Sequence, residues 1–209
     1  EPTQFAVDFL LNDHLTFNYK TEQEFENLKI IFELSVIQRQ LGNYQSAIDN
    51  LAELINILEK TDVPDSCINF IQEKLGSAYL YSGAIFTDLL QNSSAYKAYK
   101  KSLDIYVSLY DGDSSNEKYL FEIGKINYMI GGRYQALSKL DEALLYYKKS
   151  QDIFSNLLQK NPDRFIYKLE LAGIHLWIGA IFEIKKQVKE AISEFTKGKF
   201  CLTELVRSE

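Results

Sequence analysis

The side chains best suited to chemistry are few in this sequence: two histidines, His14 and His175, and two cysteines, Cys67 and Cys201. A structural zinc site needs about four such ligands, and a catalytic imidazole needs a nucleophile or an acid held beside it. His14 falls in the leading segment and His175 late in the chain, so they do not form a pair; His175 is expected to be a packed or hydrogen-bonded core residue. The two cysteines cannot make a disulfide framework and are expected to be separate thiols. Asp111-Gly112-Asp113-Ser114-Ser115-Asn116-Glu117, with Glu122 further on, echoes a twelve-position calcium loop. Asn116 stands where that loop needs its turn glycine and Lys118 where it needs an apolar residue, so a turn between helices is the preferred reading. No phosphate-binding glycine loop, dinucleotide fingerprint, Gly-x-Ser-x-Gly elbow or Cys-x2-Cys pair occurs. The expectation is a chain that is not an enzyme and has no metal and no cofactor, which leaves binding as its chemistry.

The elements that would carry a binding surface are helices. In 209 residues, 46% hydrophobic and 25% charged, there are only 3 Pro and 10 Gly, too little punctuation for an all-β chain with frequent turns. A formal net charge of −6 gives no general attraction to phosphate backbones, so nucleic acid is not an expected partner. The longest uncharged stretch, 75–87, falls well short of the roughly 20 apolar residues that span a bilayer. No membrane insertion is expected; no basic-then-apolar leader is visible, and the expected localisation is cytoplasmic.

The strongest signal is a gap-free repeat. Ala47, Ala95, Ala143 and Ala191 are spaced 48 residues apart. Each is followed four residues on by Leu51, Tyr99, Tyr147 or Phe195, and three later by Leu54, Ser102, Ser150 or Gly198, which together define one helical face. Twelve residues before each alanine comes Ser35, Gly83, Gly131 or Gly179, followed three residues on by Gln38, Phe86, Tyr134 or Phe182. Each unit therefore holds two helices, A and B.

The pattern small-x2-aromatic, then Ala-x3-aromatic-x2-small, resembles the tetratricopeptide repeat, most clearly in Ile178-Gly179-x2-Phe182 with Ala191-x3-Phe195 and Ile130-Gly131-x2-Tyr134 with Ala143-x3-Tyr147. Gly83-x2-Phe86 with Ala95-x3-Tyr99 and Leu41-Gly42-Asn43-Tyr44-x2-Ala47 fit as well. The family's usual unit is about 34 residues, leaving about 14 to place. Seven on each of two antiparallel helices lengthen both equally, and the late breakers Pro64, Gly112 and Pro162 agree.

The resemblance implies an all-α fold: an α-solenoid, a right-handed superhelix of four tetratricopeptide-like hairpins with extended helices plus a leading helix. The expected layout is a single solenoid over 1–209, with a leading helix in 1–20 (near 5–14), then repeats 21–62, 63–110, 111–160 and 161–209, nine helices in all. A helices are expected to begin near Glu22, Asp65, Ser114 and Asp163, and B helices near Gln45, Ser94, Asp141 and Lys189. Thr21 with Glu24 and Ser114 with Glu117 have capping-box spacing.

In the family the inner groove is lined by the A helices. Carried over residue by residue, it comprises Lys29, Phe32, Val36 and Arg39, then Leu80 and Ala84, then Lys125, Tyr128 and Gly132, and finally Leu176, Ala180 and Glu183. Phe32, Leu80, Tyr128 and Leu176 would form an apolar stripe, with Val36, Ala84, Gly132 and Ala180 small enough beside it for a partner's backbone to approach. The carboxylate clamp of the family's chaperone-binding members is not built here, because its Lys and Asn positions are apolar. Tyr81, Met129 and Trp177, one residue along, are expected in the core. The expected function is a non-catalytic protein-protein interaction module, part of a larger protein, that takes a peptide or helix in the groove. The alternative is a regulatory sensor domain for a small apolar ligand or signal peptide. Phe200, Leu202 and Leu205 in the last helix suggest self-association through a terminal repeat.

Overall fold

The computed structural model describes residues 19–61 and 65–207. Among these residues there are eight helices and no strand: α1 (Tyr19–Gln40), α2 (Tyr44–Lys60), α3 (Asp65–Asp88), α4 (Asn92–Gly112), α5 (Glu117–Ala136), α6 (Leu140–Lys160), α7 (Phe165–Ile184) and α8 (Val188–Arg207). The leading helix expected at 5–14 lies outside the described residues. The chain forms two compact units, 1–105 and 106–209, with the division inside α4. The first contains the α1–α2 hairpin, α3 and most of α4; the second contains the hairpins α5–α6 and α7–α8.

Each helix exists because its apolar residues recur on one face. In α6 Ala143, Tyr147, Ser150, Phe154 and Leu157 are the buried set, at alternating spacings of four and three. The four register alanines, Ala47, Ala95, Ala143 and Ala191, are all buried. Opposite them the A helices expose bare backbone to a ring. A Cβ on Gly83 would lie 2.5 Å from the Tyr99 ring, one on Gly131 2.8 Å from Tyr147, and one on Gly179 2.7 Å from Phe195. In the first hairpin Leu51 replaces the ring and Ser35 fits, its hydroxyl donating to the Ile31 carbonyl at 2.8 Å. The close approach also brings Ser102 Oγ to the Gly76 carbonyl and Ser150 Oγ to the Gly124 carbonyl, both at 2.7 Å and both across a hairpin.

The turns repeat with the same period. Gly42, Leu90, Ser138 and Lys186 have φ of 78°, 58°, 58° and 59°. After each, an amide donates five residues back: Asn43 to Gln38, Gln91 to Phe86, Lys139 to Tyr134 and Gln187 to Phe182, each within 2.8–2.9 Å. This is the Schellman closure, which normally favours glycine at the left-handed position. Three of the four turns use another residue.

Several starts differ from the sequence expectation. Helix α1 begins at Tyr19, upstream of Thr21. Helix α5 begins at Glu117, capped by Asn116, whose Oδ1 accepts from the Lys118 amide at 3.1 Å. Ser114 is not its cap, because Asp113 folds the preceding turn onto Ser115, accepting from its amide at 3.2 Å and its hydroxyl at 2.6 Å. Helix α7, 20 residues with an 18-residue stretch of mean hydropathy 1.4, has the length and composition of a membrane-crossing helix, although its longest uncharged run is shorter than 75–87. The sequence criterion missed it because Lys168 and Glu170 interrupt the apolar run. Its composition has a local cause, since Tyr167, Leu171, Ile174, Ile178 and Ile181 are all buried in the core of the second unit.

Two substitutions test this packing. Ala143→Leu should overpack the α5–α6 crossing and lower stability by about 1–3 kcal/mol in thermal denaturation; unchanged stability would place Ala143 outside the core. Leu90 is 81% exposed, so Leu90→Gly removes left-handed strain without losing packing. It should raise stability by about 0.5–1 kcal/mol, the strain relieved exceeding glycine's extra entropy in the unfolded chain.

Candidate functional site

The groove residues expected from the sequence divide between the two units. In the first, Phe32, Val36 and Leu80 are buried. Phe32 packs against the Tyr81 ring with centroids 5.4 Å apart, which corrects the expectation that it lines an open stripe. Arg39 is committed within the unit: its Nε donates to Asp88 at 2.6 Å, and its guanidinium lies 5.2 Å from the Tyr81 ring centre. Lys29 lies 3.8 Å from Glu26, and Ala84 is half-buried. Tyr81 is in the core as expected.

In the second unit the same positions form a surface. Tyr128 and Gly132 on α5 and Ala180 on α7 are half-buried, while Leu176 and Glu183 are exposed. Trp177, expected in the core, is 43% exposed; it neighbours Tyr128 and favours the ionised form of that tyrosine's hydroxyl, against the larger upward push of burial. Beneath it the Tyr147 ring lies 5.7 Å from Tyr128, and its hydroxyl donates to Gln135 at 2.8 Å. Burial pushes the hydroxyls of Tyr128 and Tyr147 upward, so both stay protonated.

Toward the start of α5 and α7 lies a charged border, of which the sequence reading placed Lys125 in the groove and missed the carboxylates Glu122 and Glu170. Lys125 Nζ donates to Glu122 at 3.3 Å and sits 5.2 Å from the Phe121 ring centre. Glu170 is largely withdrawn from water; burial raises its carboxyl pKa, Lys125 lowers it, and Glu122 raises it again, the net direction being up. The signal was present: Glu122 and Glu170 are one 48-residue period apart, but they fall on the turn by which these helices exceed the ordinary family unit, where the family numbering assigns no groove position.

His175 is in the core, as expected. Its Nδ1 lies 2.6 Å from Glu194 Oε2, and Lys197 donates to Glu194 Oε1 at 2.7 Å. Burial alone would raise the Glu194 pKa, but the hydrogen bonds from Lys197 and His175 outweigh it and hold the carboxyl below its ordinary value. Cys67 and Cys201 are free thiols. Among the described residues no group of three His, Cys, Asp or Glu is placed to hold a metal ion.

No family profile and no curated protein sequence matches the chain. Solved structures match its fold. BtubC (BKLC) from P. vanneervenii superposes with a TM-score of 0.69 at 16% identity, covering 96% of this chain and 71% of its own. The apo form of RapI gives 0.68 at 14% identity, over 96% of this chain and 62% of RapI. The Rap conjugation gene regulator of plasmid pLS20, in complex with the Phr* peptide, gives 0.56 at 16% identity, over 91% of this chain and 47% of that one. The chain has the tetratricopeptide-type helical-repeat fold. Within that fold the surface of α5 and α7 combines apolar contact, a hydroxyl and a charged border, and carries no nucleophile beside a base.

The raised carboxyl of Glu170 has a pH signature. A group whose folded pKa lies above its unfolded value stabilises below the unfolded pKa and loses that contribution as pH rises through the folded value. Glu170→Gln should therefore raise the melting temperature at neutral pH, and the gain should vanish near pH 4. Thermal melts of both proteins across that range check it.

Proposed function

We propose that the chain is a non-catalytic protein-interaction module whose binding surface is the A-helix face of the second unit. The supporting observation is the exposed pair Leu176 and Trp177, with Tyr128 beside them and the small residues Gly132 and Ala180 along the same face. An amphipathic helix or peptide would lay its apolar residues on Tyr128, Leu176 and Trp177 while its backbone approaches at Gly132 and Ala180. Lys125 would steer an acidic flank. The peptide seen with the pLS20 Rap regulator is compatible with this reading.

The exposed Val188, Ile192 and Phe200 of α8 are a second contact surface in this reading, suited to self-association. The counterparts of Val188 and Ile192 one repeat earlier, Leu140 and Leu144, pack against the core. Leu202 is also exposed, and Leu205 lies outside the residues whose side chains are described. The alternative reading, a sensor for a small ligand, is favoured by an apolar cavity against α3 in the first unit.

Panning a displayed library of amphipathic helical peptides on the chain provides the probe. Selected peptides should lose about 2 kcal/mol or more of affinity on Tyr128→Ala or Trp177→Ala, while Lys125→Ala should chiefly slow association and flatten its salt dependence. Peptides that bind all three folded variants as they bind the parent chain would overturn the placement.

A further inference from the structure

Between α2 and α4, against α3, the first unit has an open pocket of about 280 Å³ bordered by Ile48, Ile55, Phe86, Ala98, Lys97 and Lys101. It is small beside a drug-sized pocket and would take a single ring with a short substituent. Its origin lies in one position of the repeat. Ala98 corresponds, at 48-residue intervals, to Asn50 in α2, which donates to Gln38, to Tyr146 in α6 and to Glu194 in α8.

In the third repeat Tyr146 stacks on Tyr134, with centroids 5.4 Å apart and planes within 19°, and Lys149 Nζ lies 5.0 Å from its ring centre. In the fourth repeat Glu194 accepts from Lys197 at 2.7 Å and meets His175 at 2.6 Å. The residues that receive these groups have counterparts in the second repeat. Phe86 stands for Tyr134, Lys101 for Lys149 and Lys197, and Tyr79 for His175. Lys101 is already held in place, donating to the Tyr79 hydroxyl at 2.8 Å, while Tyr79 donates to Glu59 at 2.5 Å. The receiving groups are therefore present, and Ala98 supplies neither the ring nor the carboxylate that its counterparts provide.

We propose that this cavity binds a small aromatic carboxylate, its ring stacked on Phe86 and its carboxylate on Lys101, with Lys97 adding a second positive charge. The ring reproduces Tyr146 on Tyr134, and the carboxylate reproduces Glu194 on Lys197. Burial of one ring supplies most of the affinity, and the ammonium groups select the acid over its neutral analogue. Glu59, which accepts from Tyr79, offsets part of the charge of Lys101, and Lys97 leaves one positive charge in excess. The site is separate from the α5–α7 surface, so the two readings stand or fall independently.

The probes are 3-phenylpropanoate, its neutral analogue 3-phenylpropanol and the ring-free hexanoate, each titrated into the whole chain and followed by NMR. The acid should bind saturably, with shifts at Tyr79, Phe86, Ala98 and Lys101. The alcohol and hexanoate should each bind at least about tenfold more weakly. Ala98→Tyr should fold, retain its melting temperature and lose binding, because its own ring fills the space. Lys101→Met should abolish the preference for acid over alcohol. Absence of saturable shifts up to about 10 mM acid, or equal binding of acid and alcohol by the parent chain, would overturn the proposal. Parental binding by a folded Ala98→Tyr would do the same; if that variant does not fold, Phe86→Leu takes its place, with parental binding again the overturning result.

Discussion

The structure depends on a ring of a B helix lying against bare backbone of an A helix. At Gly83, Gly131 and Gly179 any side chain would collide with Tyr99, Tyr147 or Phe195, so the helices approach at a distance set by the thickness of a ring. A glycine inside a helix costs roughly 1 kcal/mol relative to alanine, and the burial of a whole aromatic ring more than offsets it. That spacing is what lets Ser102 and Ser150 reach carbonyls on the facing helix. At the fourth equivalent place Gly198 has no hydroxyl, and the Ala172 carbonyl comes within 3.2 Å of where a Cβ would stand. Register within each hairpin follows from these contacts, and register decides which A-helix residues turn outward.

This contact was legible in the sequence because it depends on residue size at fixed spacing. The small residue, the ring and the buried alanine recur without a gap, and the helices fall within a few residues of the positions their spacing implies. The turn conformation was not legible. Leu90 and Lys186 have no local preference for a left-handed backbone; the short connection between two packed helices imposes it, and the amides of Gln91 and Gln187 repay part of the strain by closing on Phe86 and Phe182. The start of α5 was misplaced for a related reason: Ser114 and Asn116 both have cap-forming side chains, and the bonds from Asp113 to Ser115 commit the first of them to the turn.

The candidate surface was only half legible. A repeat assigns Phe32, Leu80, Tyr128 and Leu176 the same place on the helix, but exposure depends on what the adjoining position does. Next to Leu80 is Tyr81, which turns inward, packs on Phe32 and holds Arg39 over its face. Next to Leu176 is Trp177, which stays 43% exposed beside Tyr128. Spacing alone cannot distinguish the two outcomes, because they depend on which side chains of the neighbouring helices each ring meets.

Repeat folds tolerate such divergence because each unit's stability comes chiefly from its own packing and that of its immediate neighbours. Ala98, Tyr146 and Glu194 show how far it can go. One place in the hairpin holds a methyl group, a stacked phenol or a carboxylate paired with lysine, and the alanine, ring and glycine contacts that build the hairpin are unaffected. The filled versions, Asn50 on Gln38 among them, add contacts that hold the chain together. The empty version keeps the receiving groups without the group they receive, so whatever is lost there in packing is available as binding energy to a molecule of the missing shape. A helical repeat can in this way change one unit from structural to receptive by shortening a single side chain, while the residues that set the helix spacing stay fixed.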